Sequence, residues 1–437
     1  MKILLHFPKS CIFIALSLLV CFNAFANDFA VNGIYYNITN KTNKTVAVTY
    51  RGSDSYDYFD EYSGTVTIPS RVTYNNTTYS VTEIGDEAFC NFSDLTSITI
   101  PNSVTKIGDE AFCNCSGLTS ITIPNSVIYI GEWAFVYCIN LTSVTIPNSV
   151  TKIGDGTFAS CTGLTKVTIP NSVTEIGVAA FNECSGLTSI TIPNSVTLIC
   201  DGAFSYCSNL TSVTIPNSVN LIDKSAFRGC TRLTSVTIPN SVTKIGDGTF
   251  ASCTSLTEVY ISDLSAWCEI DFGNYDSNPL YYAKKFKLNG TKITNLVIPN
   301  DITQIKKYAF YNCSILTSIT IPNSVTEIGQ GAFSGCLLDS VTSYCMTPPL
   351  CYNKAFDGNY SAKLKVPKGT KDAYANATEW NEFTNVLEIA SIETVKADND
   401  ATEVARYDIY GHRLSEPTKG INIVKYSDGT SRKEFVK

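Results

Sequence analysis

The stretch from residue 118 to residue 140 reads LTSITIPNSVIYIGEWAFVYCIN, and most of the chain repeats it. The Ile-Pro pair returns at intervals of 23 residues, with one longer interval after Ile261. Self-similarity at a fixed period of this length is the signature of a solenoid. An Ala-Phe or Thr-Phe pair keeps the same interval through ten regular copies and a degenerate eleventh; its phenylalanines are Phe89, Phe112, Phe135, Phe158, Phe181, Phe204, Phe227, Phe250, Phe310, Phe333 and Phe356.

The apolar positions of one copy explain how it forms one coil. Alternating β-branched residues before Pro124 predict a short strand, which ends there because proline has no amide hydrogen to donate. Gly131 permits a tight corner, and residues 134–138 turn inward again on a single 3₁₀ turn. A lone copy cannot bury these side chains, but stacked copies can, since like residues then lie about 4.8 Å apart. The sequence therefore predicts a repeat solenoid that is mainly β.

The pattern L-x-x-I-x-I-P-x-x-V-x-x-I-G-x-x-A-F-x-x-C resembles the repeat of the BspA-like leucine-rich-repeat proteins, first described from treponemes. The match extends over roughly residues 30 to 390, with length, proline, Ala-Phe and cysteine all in phase. The resemblance implies a leucine-rich-repeat-like, right-handed stack of coils with short strands and 3₁₀ turns. Members of the family are mostly secreted or surface proteins, and adhesion to host proteins or other cells has been proposed for some. The resemblance therefore implies that this chain is a secreted or surface protein with a role in adhesion.

The first 26 residues have the features of a signal peptide. Lys2 and Lys9 supply positive charge, and an apolar stretch that is short for a membrane span follows. Small residues around Ala26 predict cleavage after it, whereas a lipoprotein anchor on Cys21 is the rival interpretation. No second long apolar run follows, so we expect an exported protein, extracellular or at the cell surface, without a transmembrane segment.

The remaining chain divides by its repeat pattern. Residues 27–80 lack the repeat and predict a β cap at the N-terminus. The expanded copy has a helix start and an Asn-Gly hairpin signal, and it acts either as a ligand contact or as a spacer. The terminal module loosely resembles the sorting domain of type IX export, with a plain terminal β domain as the alternative. The predicted parts are the cap at 27–80, the solenoid at 81–345, its expanded copy at 256–295, a closing cap at 346–391 and a small terminal β module at 392–437.

Charge and histidine content argue against several functions. Lys and Arg total 32 and Asp and Glu total 39, for a net charge of -7, and no basic run indicates nucleic acid. Removal of the leader leaves His412 as the single histidine, so a serine or cysteine hydrolase site has no imidazole in a suitable context. Asp271 and Asp276 are the best carboxylate pair for an enzyme, but solvated loop acids explain them better. We expect no enzyme, no catalytic residue and no cofactor.

Cysteine is the most conspicuous residue of the repeat. Disulfides between stacked coils are one interpretation, but a buried thiol that fills the core is favoured, because identical stacked side chains run parallel and Phe92 holds the equivalent place in the first copy. No C-x-x-C occurs, so spacing argues against metal. Cys345 and Cys351 remain a possible bridge in the cap. The nine repeat cysteines are Cys115, Cys138, Cys161, Cys184, Cys207, Cys230, Cys253, Cys313 and Cys336.

The residues that vary between copies suggest where a ligand binds. The strand face carries monotonous rows of threonine and serine, whereas aromatic residues and one arginine vary after the proline turn and around Ala-Phe. Packing of these side chains against the next coil is the alternative. We expect an extracellular protein partner, with a glycan as the second hypothesis. The candidate binding surface contains Tyr129, Trp133, Tyr137, Tyr206, Arg228, Tyr308 and Tyr311.

Overall fold

A computed structural model describes residues 27–52, 61–283, 285–389, 403–407, 413–426 and 431–436. The predicted signal peptide and His412 lie outside these residues. The chain forms two compact units, residues 1–266 with 270–291 and residues 267–269 with 292–437. Helices in the described ranges are short, and none of them is long and apolar enough to traverse a bilayer. The α-helices are Leu264–Cys268 and Lys371–Ala375, and the 3₁₀ helices are Tyr275–Ser277, Pro279–Tyr281 and Trp380–Glu382.

The first unit begins with a sheet that joins the N-terminal segment to the first coils. Antiparallel pairs form its outer part, and Ile84 then pairs in parallel with Ile107, which pairs with Ile130. Tyr62 lies over the phenylalanine of the first coil, with its ring centroid 4.7 Å from that of Phe89. The strands of this sheet are Phe29–Val31, Ile34–Asn40, Thr45–Thr49, Arg71–Tyr74, Thr77–Ile84, Lys106–Ile107 and Tyr129–Ile130.

Two series of short parallel strands continue the first unit. Most of these strands pair in parallel with the strand 23 residues later, so that Ile153 lies beside Ile176 and Val213 beside Val236. This register confirms the predicted mainly β solenoid. The strands are Gly64–Thr67 with Leu95–Thr99, Ser143–Thr145 with Lys166–Thr168, then Lys152–Ile153, Glu175–Ile176, Leu198–Ile199, Leu221–Ile222, Lys244–Ile245 and Asp271–Phe272, and finally Ser189–Thr191, Ser212–Thr214, Ser235–Thr237, Glu258–Ile261, Lys285–Leu288 and Thr291–Lys292.

The expanded copy keeps both strand series in register. Asp263 accepts hydrogen bonds from the backbone amides of Ser265 and Ala266, which caps the short helix. Extra residues are absorbed in the 3₁₀ turns, so Glu258 pairs with Lys285, 27 residues later. The turn at Asn289–Gly290, where both residues have positive φ, then leads back along the sheet edge, as its sequence predicts.

The second unit has the same construction. Its strands pair at intervals of 22 or 23 residues, with Ile319 beside Val341 and Val341 beside Leu364. A four-stranded antiparallel sheet follows, in which buried Arg406 forms ion pairs with Glu403 and Glu434. The strands are Asn295–Val297, Ser318–Ile321, Ser340–Ser343, Lys363–Val366 and Asn385–Glu388, then Gln304–Ile305, Glu327–Ile328 and Leu350–Cys351, and in the terminal sheet Glu403–Tyr407, Arg413–Leu414, Gly420–Tyr426 and Ser431–Val436.

A ladder of phenylalanine rings fills the core of each unit. In the first unit the rings from Phe89 to Phe250 are fully buried and nearly parallel, with neighbouring centroids between 5.1 Å and 5.7 Å apart. In the second unit Phe310, Phe333 and Phe356 continue the same geometry. The 23-residue register forces this stacking, because it places each ring directly over its equivalent in the next coil.

The repeat cysteines form a second buried ladder beside the rings. All nine are buried free thiols, which confirms their predicted place in the core, and Cys345 and Cys351 are also free. Eight of the nine donate the thiol hydrogen to the phenylalanine carbonyl 26 residues earlier, at sulfur–oxygen distances of 2.9 to 3.3 Å. Asn359 replaces the thiol with an amide that reaches Phe333 O at 2.8 Å. In these stacked coils the position therefore combines a hydrogen-bond donor with apolar volume, whereas Phe92 fills it in the first coil.

Alkylation should distinguish these thiols from accessible ones. Burial raises the pKa of Cys161, Cys207 and Cys253 to about 12, so the reactive thiolate is scarce below that pH. We expect the ladder thiols at pH 8 to react with iodoacetamide at least ~100-fold more slowly in the native protein than in denaturant, as followed by peptide mass spectrometry. Equal alkylation rates in the native protein and in denaturant would contradict the burial of these thiols.

Candidate functional site

Each coil changes direction around its Ala-Phe pair through two residues with positive φ. Hydrogen bonds from residue i+3 to residue i close each turn, such as Val136 N to Trp133 O at 3.0 Å, and the left-handed residues end it after one turn. Glycine adopts this left-handed conformation without steric cost, whereas a residue with a large side chain is strained in it. The first position is glycine at Gly156, Gly202, Gly248 and Gly331, whereas the other coils carry non-glycine residues there, including Trp133 and Tyr308 with φ of 55° and 60°. Tyr137 and Tyr206 occupy the second position.

One coil, residues 118–140, presents an unusual concentration of exposed apolar side chains. We call these five residues the apolar patch, and they are between 38% and 64% exposed: Ile128, Tyr129, Trp133, Tyr137 and Ile139. The flanking coils carry polar residues or glycine at the same places, for example Thr105 and Thr151 where this coil has Ile128. Large exposed apolar groups are rarely gathered in this way on a protein without a binding role for them.

Two of the aromatic rings also pack on glycines of the next coil. A Cβ added to Gly156 would lie 2.1 Å from Trp133 Cε3, and one added to Gly229 would lie 2.6 Å from Tyr206 Cδ1. The glycines therefore leave room for these rings. Trp133 and Tyr206 nevertheless stay 38% and 48% exposed. Each of these side chains therefore packs against the next coil with one part and faces solvent with another.

Tyr129 is held by polar contacts at the start of the same coil. Its hydroxyl donates to Asp109 Oδ1 at 3.2 Å, and the same oxygen accepts the backbone amide of Glu132 at 3.0 Å. Lys106 Nζ lies 5.8 Å from the centroid of the Tyr129 ring. Partial desolvation and the Asp109 carboxylate raise the pKa of Tyr129, so this hydroxyl remains a donor at neutral pH.

The structure separates the other candidate residues into two places. Tyr206 and exposed Arg228 belong to adjoining coils of the first unit, where Tyr206 N donates to Arg228 O at 2.6 Å. Tyr308 and Tyr311 lie together in the second unit as an edge-to-face pair, with centroids 5.8 Å apart. The seven predicted residues therefore do not form one cluster within either unit.

Sequence reasoning missed part of the exposed apolar surface. Ile128 and Ile139 would have been found by comparing each coil residue by residue with its neighbours, because both replace threonine or serine of the flanking copies. The second unit also exposes large apolar side chains, and one of them, Met346, lines a concavity of about 320 Å³ together with Cys345 and Pro349. These exposed side chains include Leu337, Tyr344, Met346, Leu350 and Tyr352.

The two carboxylates considered for an enzyme lie in neighbouring elements of the expanded copy. Asp271 is exposed on a strand beside Lys244, and Asp276 lies in the 3₁₀ turn Tyr275–Ser277. One cluster among the described residues combines ligand types suited to a metal ion: the Cys90 and Cys113 sulfurs and a Glu110 carboxylate oxygen lie within 4.8 Å of one another.

Comparison with known proteins agrees with this architecture. The profile of the BspA type leucine rich repeat region matches residues 82–209, 174–274 and 282–399. A leucine-rich repeat protein from Bacteroides ovatus is 27% identical over 83% of this chain and 100% of its own, with a TM-score of 0.51. A leucine rich cell surface protein from Faecalibacterium prausnitzii is 30% identical over 72% of this chain and 94% of its own, with a TM-score of 0.35.

The leucine rich repeat protein of T. pallidum is also similar, at 25% identity over 52% of this chain and 90% of its own, with a TM-score of 0.37. No curated protein sequence matches the chain. The family profile nevertheless accounts for well over half of the residues and for the repeat that builds both units. The chain belongs to the BspA-type leucine-rich-repeat family.

Proposed function

We propose that this protein is exported, remains extracellular or at the cell surface, and binds another protein, as an adhesin for host or neighbouring-cell proteins does. The observation that carries the proposal is the apolar patch, in which a single coil departs from its neighbours at five exposed positions. The apolar leader at 1–26 supports export.

The chemistry of the patch favours a protein over a glycan as the partner. Ile128 and Ile139 offer branched aliphatic surface, which protein interfaces bury readily, whereas sugars stack mainly on aromatic faces. Tryptophan and tyrosine are also the residues most enriched at binding hot spots. The aromatic rings of the patch, among them Tyr137 and Trp133 beside Gly156, also suit a carbohydrate, so carbohydrate binding remains the second candidate.

The test replaces the apolar patch with the residues that neighbouring coils carry. The variant combines Ile128→Thr, Tyr129→Lys, Trp133→Gly, Tyr137→Ser and Ile139→Thr in the chain from residue 27 onward. Binding to host matrix proteins, mucins and a glycan array is compared with the unchanged chain at physiological salt. We expect at least one protein ligand, bound at least ~10-fold more weakly by the variant, since loss of several anchors costs more than 1.4 kcal/mol.

Val178→Asp is the matched control, because Val178 is exposed in a different coil and aspartate stands at the same place in the coils on either side. This control should bind like the unchanged chain, and all three proteins should unfold at similar denaturant concentrations. Glycan ligands alone would support the second candidate. A protein ligand that binds the variant unchanged would contradict the role of the patch, and the absence of any ligand would contradict the adhesin proposal.

A further inference from the structure

Two consecutive coils at the start of the solenoid share the string Glu-Ala-Phe-Cys-Asn. The first copy occupies residues 87–91 and the second residues 110–114. The 23-residue register brings equivalent residues of the two strings side by side. As a result the sulfurs of Cys90 and Cys113 and a carboxylate oxygen of Glu110 all lie within 4.8 Å of one another.

Backbone hydrogen bonds between the coils hold this cluster in place. Phe89 N donates to Ala111 O at 2.8 Å, and Asn91 N donates to Cys113 O at 2.7 Å. The Asn91 side-chain amide donates to Cys90 Sγ at 3.2 Å, and the Asn114 amide donates to Asn91 Oδ1 at 3.0 Å. The three ligand atoms are therefore positioned by the fold before any ion binds.

The electrostatics of the cluster favour a cation. The carboxylates of Glu87 and Asp109 lie near that of Glu110 and add negative charge around the cluster. Cys90 is buried, whereas Cys113 and Glu110 are partly accessible, so an ion from solvent can reach the site.

We propose that Cys90, Cys113 and Glu110 form a binding site for a thiophilic divalent cation of the zinc class. Two thiolates and one carboxylate oxygen are ligands that such ions bind in tetrahedral geometry, with one position left for water. Binding forms two metal–sulfur bonds and one metal–oxygen bond and releases the protons of the two thiols to solvent. The ion would tie the first coil to the second beside the N-terminal sheet.

The site is confined to these two coils. In the third coil Val136 takes the place of cysteine and Trp133 the place of glutamate. The core thiols differ, because residues such as Cys115 and Cys138 donate to backbone carbonyls inside the stack. The absence of C-x-x-C argues against metal only for ligands close in sequence, whereas these two thiols are 23 residues apart and adjacent in space.

Titration of the full-length protein with Zn²⁺ and Co²⁺ under a phosphine reductant tests the proposal. We expect one ion per chain and, with Co²⁺, thiolate-to-metal charge-transfer absorption. Cys113→Val, which introduces the residue of the third coil, should abolish that absorption. Glu110→Gln keeps both thiols and the shape of the side chain, and it should weaken Zn²⁺ binding at least ~10-fold.

Cys200→Ser is the control, because Cys200 lies 3.8 Å from the Glu175 carboxylate and, among the described residues, belongs to no group of three ligands. This variant should bind one ion with unchanged affinity. Binding that survives Cys113→Val, or a reduced protein that binds neither ion, would overturn the site. A Cys90–Cys113 disulfide that persists under the reductant and blocks binding would also overturn it.

Discussion

Replacement of Phe181 by alanine is expected to lower the free energy of unfolding by about 3–5 kcal/mol. Phe181 is fully buried, and its ring lies between those of Phe158 and Phe204 at centroid distances of 5.5 Å and 5.4 Å. Alanine would leave a cavity with a ring above and a ring below. The surrounding coils cannot close this gap, because their spacing is fixed by the parallel strands on both series.

Chemical denaturation measures the loss, and hydrogen exchange by mass spectrometry locates it. Since each coil contacts mainly its neighbours, protection should fall most in residues 150–210 of the stack. Val178→Thr lies in the same coil at an exposed position and should change stability by less than about 0.5 kcal/mol. A Phe181→Ala variant as stable as this control would mean that the ring ladder contributes little.

Gly156→Ala is expected to destabilise the protein by about 2–3 kcal/mol, more than the same substitution at Gly202. Both glycines occupy the first turn position with φ near 60°, so a methyl group imposes the same backbone penalty on each, about 1 kcal/mol. They differ in what the methyl group meets. At Gly156 it would overlap the Trp133 ring, whereas at Gly202 the nearest atom is Ser205 Cβ at 3.8 Å.

The difference between the two variants therefore measures the contact of Trp133 with the next coil. Denaturation gives the free energies, and tryptophan fluorescence should shift in Gly156→Ala alone. Equal losses with unchanged fluorescence would show that the indole does not rest on Gly156 in solution. Adding Trp133→Gly to Gly156→Ala should remove the extra loss, because the ring is then absent.

Most of the fold could be predicted from periodicity. The spacing of Ile-Pro and Ala-Phe, with β-branched residues between them, gives the solenoid, its strands and its buried cysteines without reference to any structure. The hydrogen bond from eight of the nine repeat cysteines to a carbonyl 26 residues earlier could not be predicted, because it depends on the lateral offset between stacked coils. The sequence did contain one hint of a hydrogen-bond donor at this position, because Asn359 replaces the thiol there and makes the same bond.

The candidate surfaces were less predictable than the fold. Aromatic residues such as Trp133 were identified because they interrupt a monotonous repeat, but the sequence alone does not reveal a ring packed on Gly156 and exposed at the same time. The cluster of Cys90, Cys113 and Glu110 was missed for a related reason. Rules for ligand spacing assume neighbours along one loop, whereas a solenoid makes residues one repeat apart into neighbours.

The identical register of the coils also has an evolutionary consequence. Residues 149–162 and 241–254 have the same sequence, and they lie four repeats apart. Unequal recombination between the two gene segments would remove or duplicate four whole coils and leave every new junction with a sequence that the stack already contains. Copy number in such a protein can therefore change in single genetic events, while a patch confined to one coil is inherited or lost as a unit.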